Sequence, residues 1–208
     1  MLKKIVLICV CLLALAAGSI AWFVHLVGRD LPPALAQTRP QDIPYLRQQV
    51  AQNRGRILAV VTSTATMGAS GKKTGYELTE LSRAYYVFSA NGFEVEIASP
   101  AGGLPPVVID DEDMGPMDYA FLNDPQAQSR LADTIAAPDI DPQRYRAVYF
   151  VGGKGAMWDF PDNPHLQGLL RSFARDGKVI AAVCHGPAAL VNVRLDDGSY
   201  LLSDRQVS

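Results

Sequence analysis

Cysteine is scarce, with three in 208 residues at positions 9, 11 and 184. Two lie inside an apolar N-terminal run and one stands alone in the rest, so no disulfide framework can be built and cysteine usage does not reveal the redox compartment. Charge of one sign is equally lacking. Nineteen Lys and Arg face 21 Asp and Glu, for a net charge of -2. The signs are interspersed and leave no basic field for a phosphate backbone, so nucleic acid is not an expected partner. There is no CxxC, no HExxH, no Walker loop, no internal repeat and no low-complexity tract. Metal and phosphate chemistry therefore have no sequence support, and no cofactor is implied. With 49% hydrophobic residues the chain can bury a core of its own.

The longest uncharged run is "IVLICVCLLALAAGSIAWFV", Ile5 to Val24, behind Lys3 and Lys4. Its length is what a hydrocarbon core demands of a helix, roughly twenty residues. Two lysines before it favour the N-terminus inside. The expectation is a transmembrane helix or signal segment over 1–28. The rest would then be membrane-anchored on the extracytoplasmic side, periplasmic or extracellular, or secreted if "ALA" at Ala34 to Ala36 is a cleavage site. Cys9, Cys11 and His25 are then membrane or interfacial residues. Residues 29–53 are rich in Pro, Gln and Arg and are expected to form an exposed tether without a core.

From residue 54 onward strands and helices alternate. "RILAVVTS" (Arg56 to Ser63) reads as a buried strand. Leu78, Leu81, Tyr85 and Phe88 recur at helical spacing before Asn91-Gly92, and "FEVEIASP" (Phe93 to Pro100) alternates like a strand. "DDEDMGPMD" reads as a solvated loop, and a helix is expected over Gln126 to Ile135. "YRAVYFVGG" (Tyr145 to Gly153) is a strand entering a glycine turn. Asn163-Pro164 opens a helix carrying Leu166, Leu169, Leu170 and Phe173, and "KVIAAV" is the next strand. The expected class is α/β, a flavodoxin-like parallel sheet with helices on both faces, with sites at the carboxyl ends of the strands.

One such end holds "VCHGPAAL". Cys184 follows a buried strand, and Gly186-Pro187 suit a sharp corner into a helix. A cysteine on that elbow is held out of the sheet beside free backbone N–H groups, which stabilise a thiolate and suit it to attack a carbonyl. The competing reading is a small buried hydrophobe. Adjacent His185, and the glycines of "VGGKG" that can bring N–H groups to an oxyanion, favour chemistry. His165 reads as a cap or surface residue, and Trp158 and Asp159 as fixing the loop after the glycines.

The blocks "RILAVVTS", "TGYELTELSRAYYVFSANGFEVEIASPAGG", "YFVGGKGAMWDFPDNP" and "AAVCHGPAAL" together resemble the DJ-1/PfpI superfamily, its Hsp31-like branch, within the class I glutamine amidotransferase-like fold. The resemblance runs from about Arg56 to the C-terminus. It implies Cys184 as nucleophile, His185 as its partner, and Glu80 as the glutamate reaching the thiol. Gly153 and the backbone of His185 would form the oxyanion hole. Glu77, one turn earlier, competes with Glu80. Arg83-Ala84 replace the family's His-Pro dipeptide, and Lys154 stands where some relatives have histidine, so no role carries over to it. The family acid that orients the histidine lies downstream of the elbow. Asp196, Asp197 and Asp204 fit it poorly, "LDDGSY" reads as a hairpin turn, and the domain over 54–208 is expected to be C-terminally incomplete.

The function so implied is a glyoxalase III-like hydro-lyase, a glutathione-independent glyoxalase that converts a 2-oxoaldehyde such as methylglyoxal to a 2-hydroxy acid. A deglycase, amidase or peptidase with the same cysteine is the near alternative. A holding chaperone or an inactive binding domain is the alternative of another class, and homodimers are common among relatives.

Overall fold

The structure, a computed structural model, describes residues 34–206 together with 17–19 and 22. Strand β1 (Arg56–Val60) is followed by the two-residue β2 (Tyr76–Glu77) and helix α1 (Leu78–Ala90). Strand β3 (Glu94–Ser99), the two-residue β4 (Val107–Val108), α2 (Pro116–Leu122), α3 (Pro125–Ala132) and the two-residue β5 (Ile135–Ala136) come next. The remaining elements are β6 (Ala147–Phe150), the short α4 (Ala156–Asp159), α5 (Pro164–Arg175) and β7 (Val179–Ala182).

Five strands form a sheet in the order β5-β3-β1-β6-β7, every pair parallel. Ranked by chain position within the sheet this is 3-2-1-4-5. It departs from the 2-1-3-4-5 order of a flavodoxin-like sheet because the third strand is the short β5, set outside β3. Side chains alternate between two cores, as the pleat requires. Ala59, Val95, Ile97 and Val151 face the layer of α1, α2 and α3. Leu58, Val60, Val148 and Phe150 face α4, α5 and the segment after β7. Each large apolar side chain so buried contributes roughly 1.5–3 kcal/mol relative to exposure. The α/β class with helices on both faces is thus present.

The expected helix over Gln126 to Ile135 is cut short. Asp124 caps α3 by accepting from the Gln126 and Ala127 N–H groups, and Ile135 and Ala136 leave it to pair with β3. The supposed loop "DDEDMGPMD" contains the start of α2, with Pro116 in its first turn.

The tether expectation is corrected for residues 36–50. Three 3-10 turns, each opened by or containing a small or proline residue at its start, run over Leu35–Gln37, Pro40–Asp42 and Pro44–Gln48. Their spacing of three sets Ile43 and Leu46 on one face, and both are buried in the α1 core. The Val50 N–H donates to the Ala90 carbonyl at 2.8 Å, and Asn123 Nδ2 donates to the carbonyls of Ala36 and Thr38. Composition hid this because only two apolar side chains carry the contact.

The expectation of a membrane anchor, with the membrane as partner and an extracytoplasmic domain, is not upheld. No helix among the described residues is long and apolar enough to cross a membrane. The Ile5 to Val24 run, with Cys9 and Cys11, and His25 beyond it lie almost entirely outside the described residues.

Candidate active site

Register positions the site. Val60, Phe150 and Ala182 lie in one row across β1, β6 and β7, so two residues further on Gly152 and Cys184 emerge side by side. The Val183 N–H donates to the Phe150 carbonyl at 3.1 Å, and the Gly186 N–H closes the corner onto the Val183 carbonyl at 2.7 Å. Between them Cys184 is forced to φ 54°, the left-handed region that a side chain with a Cβ disfavours. The segment after it, Gly186–Leu190, is a 3-10 turn rather than the α-helix expected from "PAAL".

Helix α1 is bolted to the end of β6. The Gly152 N–H donates to Glu80 Oε2 at 2.8 Å, the Glu77 N–H donates to the Gly152 carbonyl at 3.3 Å, and the Tyr149 hydroxyl donates to the Glu80 carbonyl at 3.1 Å. These bonds need a bare α-carbon. A Cβ on Gly152 would stand 2.5 Å from Glu80 Oε2, 2.7 Å from the Cys184 Cβ and 2.9 Å from the His185 nitrogen. Gly153 has φ +100° and abuts the Gly75 carbonyl and the Glu77 nitrogen, so it too admits no side chain.

The Cys184 thiol therefore faces the Glu80 carboxylate, the N–H groups of Gly153 and His185, and His185 Nδ1 at 3.1 Å. Cys184 is exposed at the surface, yet the desolvation its sulfur does undergo is the largest influence on the thiol and raises its pKa. The Gly153 N–H pulls it down, the Glu80 carboxylate pushes it up by hydrogen bond and charge, and the His185 N–H pulls it down again. The net direction is upward. The expectation that the N–H groups alone would favour a thiolate is thus corrected in direction: desolvation and a facing anion outweigh them.

Of the two candidate glutamates, Glu80 turns to the thiol. Glu77 sits at the N-cap of α1 without a side-chain capping bond. Its carboxyl is raised by burial, then by the charges of Glu80 and Asp110, and is eased by Lys154. Asp159 accepts from Thr62 Oγ1 at 2.8 Å and the Ser63 N–H at 2.7 Å, which ties the loop after the glycines to the end of β1. The cap before α5 is Asn163, whose Oδ1 accepts the His165 and Leu166 N–H groups, while His165 itself is exposed. Asp197 is occupied by Ser199, and among the described residues no carboxylate bonds the His185 ring. Sequence reasoning missed Gly152, Tyr149 and Asp118. For Gly152 a signal existed in the doubled glycine; for Asp118, whose partners stand 35 and 36 positions earlier in the chain, there was none.

The model of the DJ-1/PfpI family matches residues 72–201. A glutathione-independent glyoxalase of Schizosaccharomyces pombe is 30% identical over 149 residues, which span 70% of this chain and 62% of that one. The crystal structure of glyoxalase III from Candida albicans superposes with a TM-score of 0.59 at 28% identity, over 71% of this chain and 64% of that one. The Rapid Encystment Protein of 24 kDa from Francisella tularensis does so with a TM-score of 0.68 at 33% identity, over 73% and 68%. The chain spans about three fifths of the length of the curated relatives it matches.

Proposed function

Since the chain belongs to the DJ-1/PfpI family, in its Hsp31-like branch, we propose that it is a glutathione-independent glyoxalase acting on a small 2-oxoaldehyde such as methylglyoxal. The observation that carries this reading is the meeting of one thiol, one carboxylate and two backbone N–H groups at a single point. The names of the S. pombe and C. albicans relatives agree with it.

The steps of this reading are those implied by the resemblance, with each role given to a group at the site. Glu80 accepts the thiol proton as Cys184 Sγ adds to the aldehyde carbon, the new alkoxide lies against the N–H groups of Gly153 and His185, and Glu80 returns the proton to it, which completes the hemithioacetal and frees the carboxylate. Glu80 then moves a proton from the former aldehyde carbon to the neighbouring carbonyl carbon through an enediol. The product of that shift is a thioester of the 2-hydroxy acid. Water cleaves the thioester, the thiol is regenerated, and the sum is the 2-oxoaldehyde plus water giving the hydroxy acid. His185 Nδ1, 3.1 Å from sulfur, takes a proton from the attacking water and gives one to the sulfur as the thioester is cleaved.

The test is lactate formation from methylglyoxal by the full chain without glutathione. Cys184→Ala abolishes turnover, and Glu80→Gln lowers kcat by about 100-fold or more, as expected for loss of a general base. Undiminished turnover in Cys184→Ala, or none from folded wild-type protein, overturns the reading.

A further inference from the structure

Asp118 is completely buried, yet it belongs to the acidic stretch that reads as solvated in sequence. Both of its oxygens are engaged. Oδ1 accepts a short hydrogen bond from the Ser82 hydroxyl. Oδ2 accepts from Arg83 Nε at 3.2 Å, from Arg83 Nη2 at 3.0 Å and from the Gly115 N–H at 2.8 Å. The Arg83 guanidinium continues outward to the Asp113 carbonyl at 2.5 Å and its carboxylate at 3.4 Å. A buried carboxylate gripped by two side chains of one helix fixes that helix both along and about its axis. Apolar contacts do not, because they are non-directional.

The helix so gripped is α1, and Glu80 stands one turn before Arg83. On the far side α1 is held by the Gly152 N–H on Glu80 and by the Tyr149 hydroxyl on the Glu80 carbonyl. The carboxylate that faces the thiol is therefore clamped from both sides, and one clamp is made by residues that stand clear of the reacting atoms. We propose that Asp118 and Arg83 are a positioning pair that sets the register of α1 and so holds Glu80 against the Cys184 thiol. Of the two, Arg83 stands, with Ala84, where the resemblance places a His-Pro dipeptide. The role in turnover rests on the proposed glyoxalase reading; the hold on the thiol does not.

The thiol itself reports the clamp. The titratable groups facing it are Glu80 and His185, and the Glu80 carboxylate pushes its pKa up. If α1 slips, that push weakens and the thiol ionises at lower pH. In the full chain, iodoacetamide labelling of the Cys184 peptide is followed by mass spectrometry across pH, which separates it from Cys9 and Cys11. Glu80→Gln lowers the midpoint by about one pH unit, and Asp118→Asn and Arg83→Met lower it by at least half as much. Tyr86→Phe removes another bond from α1, the 3.1 Å one to Asp124, and leaves the midpoint in place. In turnover, the clamp variants lose about tenfold or more in kcat with KM within about twofold, the pattern of misplaced rather than lost binding. An unchanged midpoint in folded Asp118→Asn and Arg83→Met overturns the proposal, as does an equal shift in Tyr86→Phe. If Asp118→Asn fails to fold, Arg83→Met decides, because the Arg83 side chain is partly exposed. A wild-type protein without turnover sinks the glyoxalase reading and leaves the labelling result to judge the clamp.

Discussion

At the scale of the residue, Cys184 is held against two preferences at once. Its backbone lies at φ 54°, where a Cβ costs roughly 1–2 kcal/mol, and the facing Glu80 carboxylate pushes its thiol pKa up. Neither condition helps the fold. Cys184→Gly relieves the backbone strain, though a glycine also gains freedom in the unfolded chain, worth roughly 0.5–1 kcal/mol. The net expectation is a protein slightly more stable than wild type and without turnover. Thermal melts of Cys184→Gly and Cys184→Ala side by side check this, since alanine keeps the strain; a glycine variant that melts below the alanine variant contradicts it.

At the scale of the element, the ends of helices do as much as their faces. Helix α5 buries Leu166, Leu169, Leu170 and Phe173, the stripe that its sequence periodicity foretells. Its first turn is closed by Asn163, which satisfies two N–H groups that would otherwise lack partners. Asn163→Ala is expected to cost about 1 kcal/mol, and Asn163→Asp to restore it, read as unfolding free energy in denaturant. The same logic explains why α3 was misjudged in length. Its start is announced by Asp124-Pro125, but its end is set by pairing of Ile135 and Ala136 with β3, a partner distant in sequence.

At the scale of the molecule, residues 36–50 share the core of the α1 layer. Leu46 is 6% exposed and packs in the same cluster as Tyr85 and Tyr86. Leu46→Ala is expected to destabilise by roughly 2–5 kcal/mol in one cooperative transition, monitored by circular dichroism; a melt matching wild type would mean that this segment is an appendage. What could be read from the chain follows from range. Central strands and long amphipathic helices carry their pattern locally, so β1, β3, β6, β7, α1 and α5 were legible. So were Cys184, His185 and Gly153, because the corner that gathers them is written in two short stretches. The two-residue strands, the 3-10 segment and Asp118 take their form from partners elsewhere in the chain, and no local pattern encodes them. The balance of forces on the thiol was misread for another reason: the resemblance named Glu80 as its neighbour, but the weight of desolvation and of that charge against the N–H groups is set by the folded site.

The bare α-carbon of Gly152 carries a consequence for how this site can change. Atoms of three residues, Glu80, Cys184 and His185, stand within 2.9 Å of the point a methyl group would take. Every replacement at that position adds at least that methyl and pushes the Glu80 carboxylate, the Cys184 side chain and the His185 N–H apart together. The position has no mutational neighbours that trade a little activity for something else. This junction stays either intact or lost.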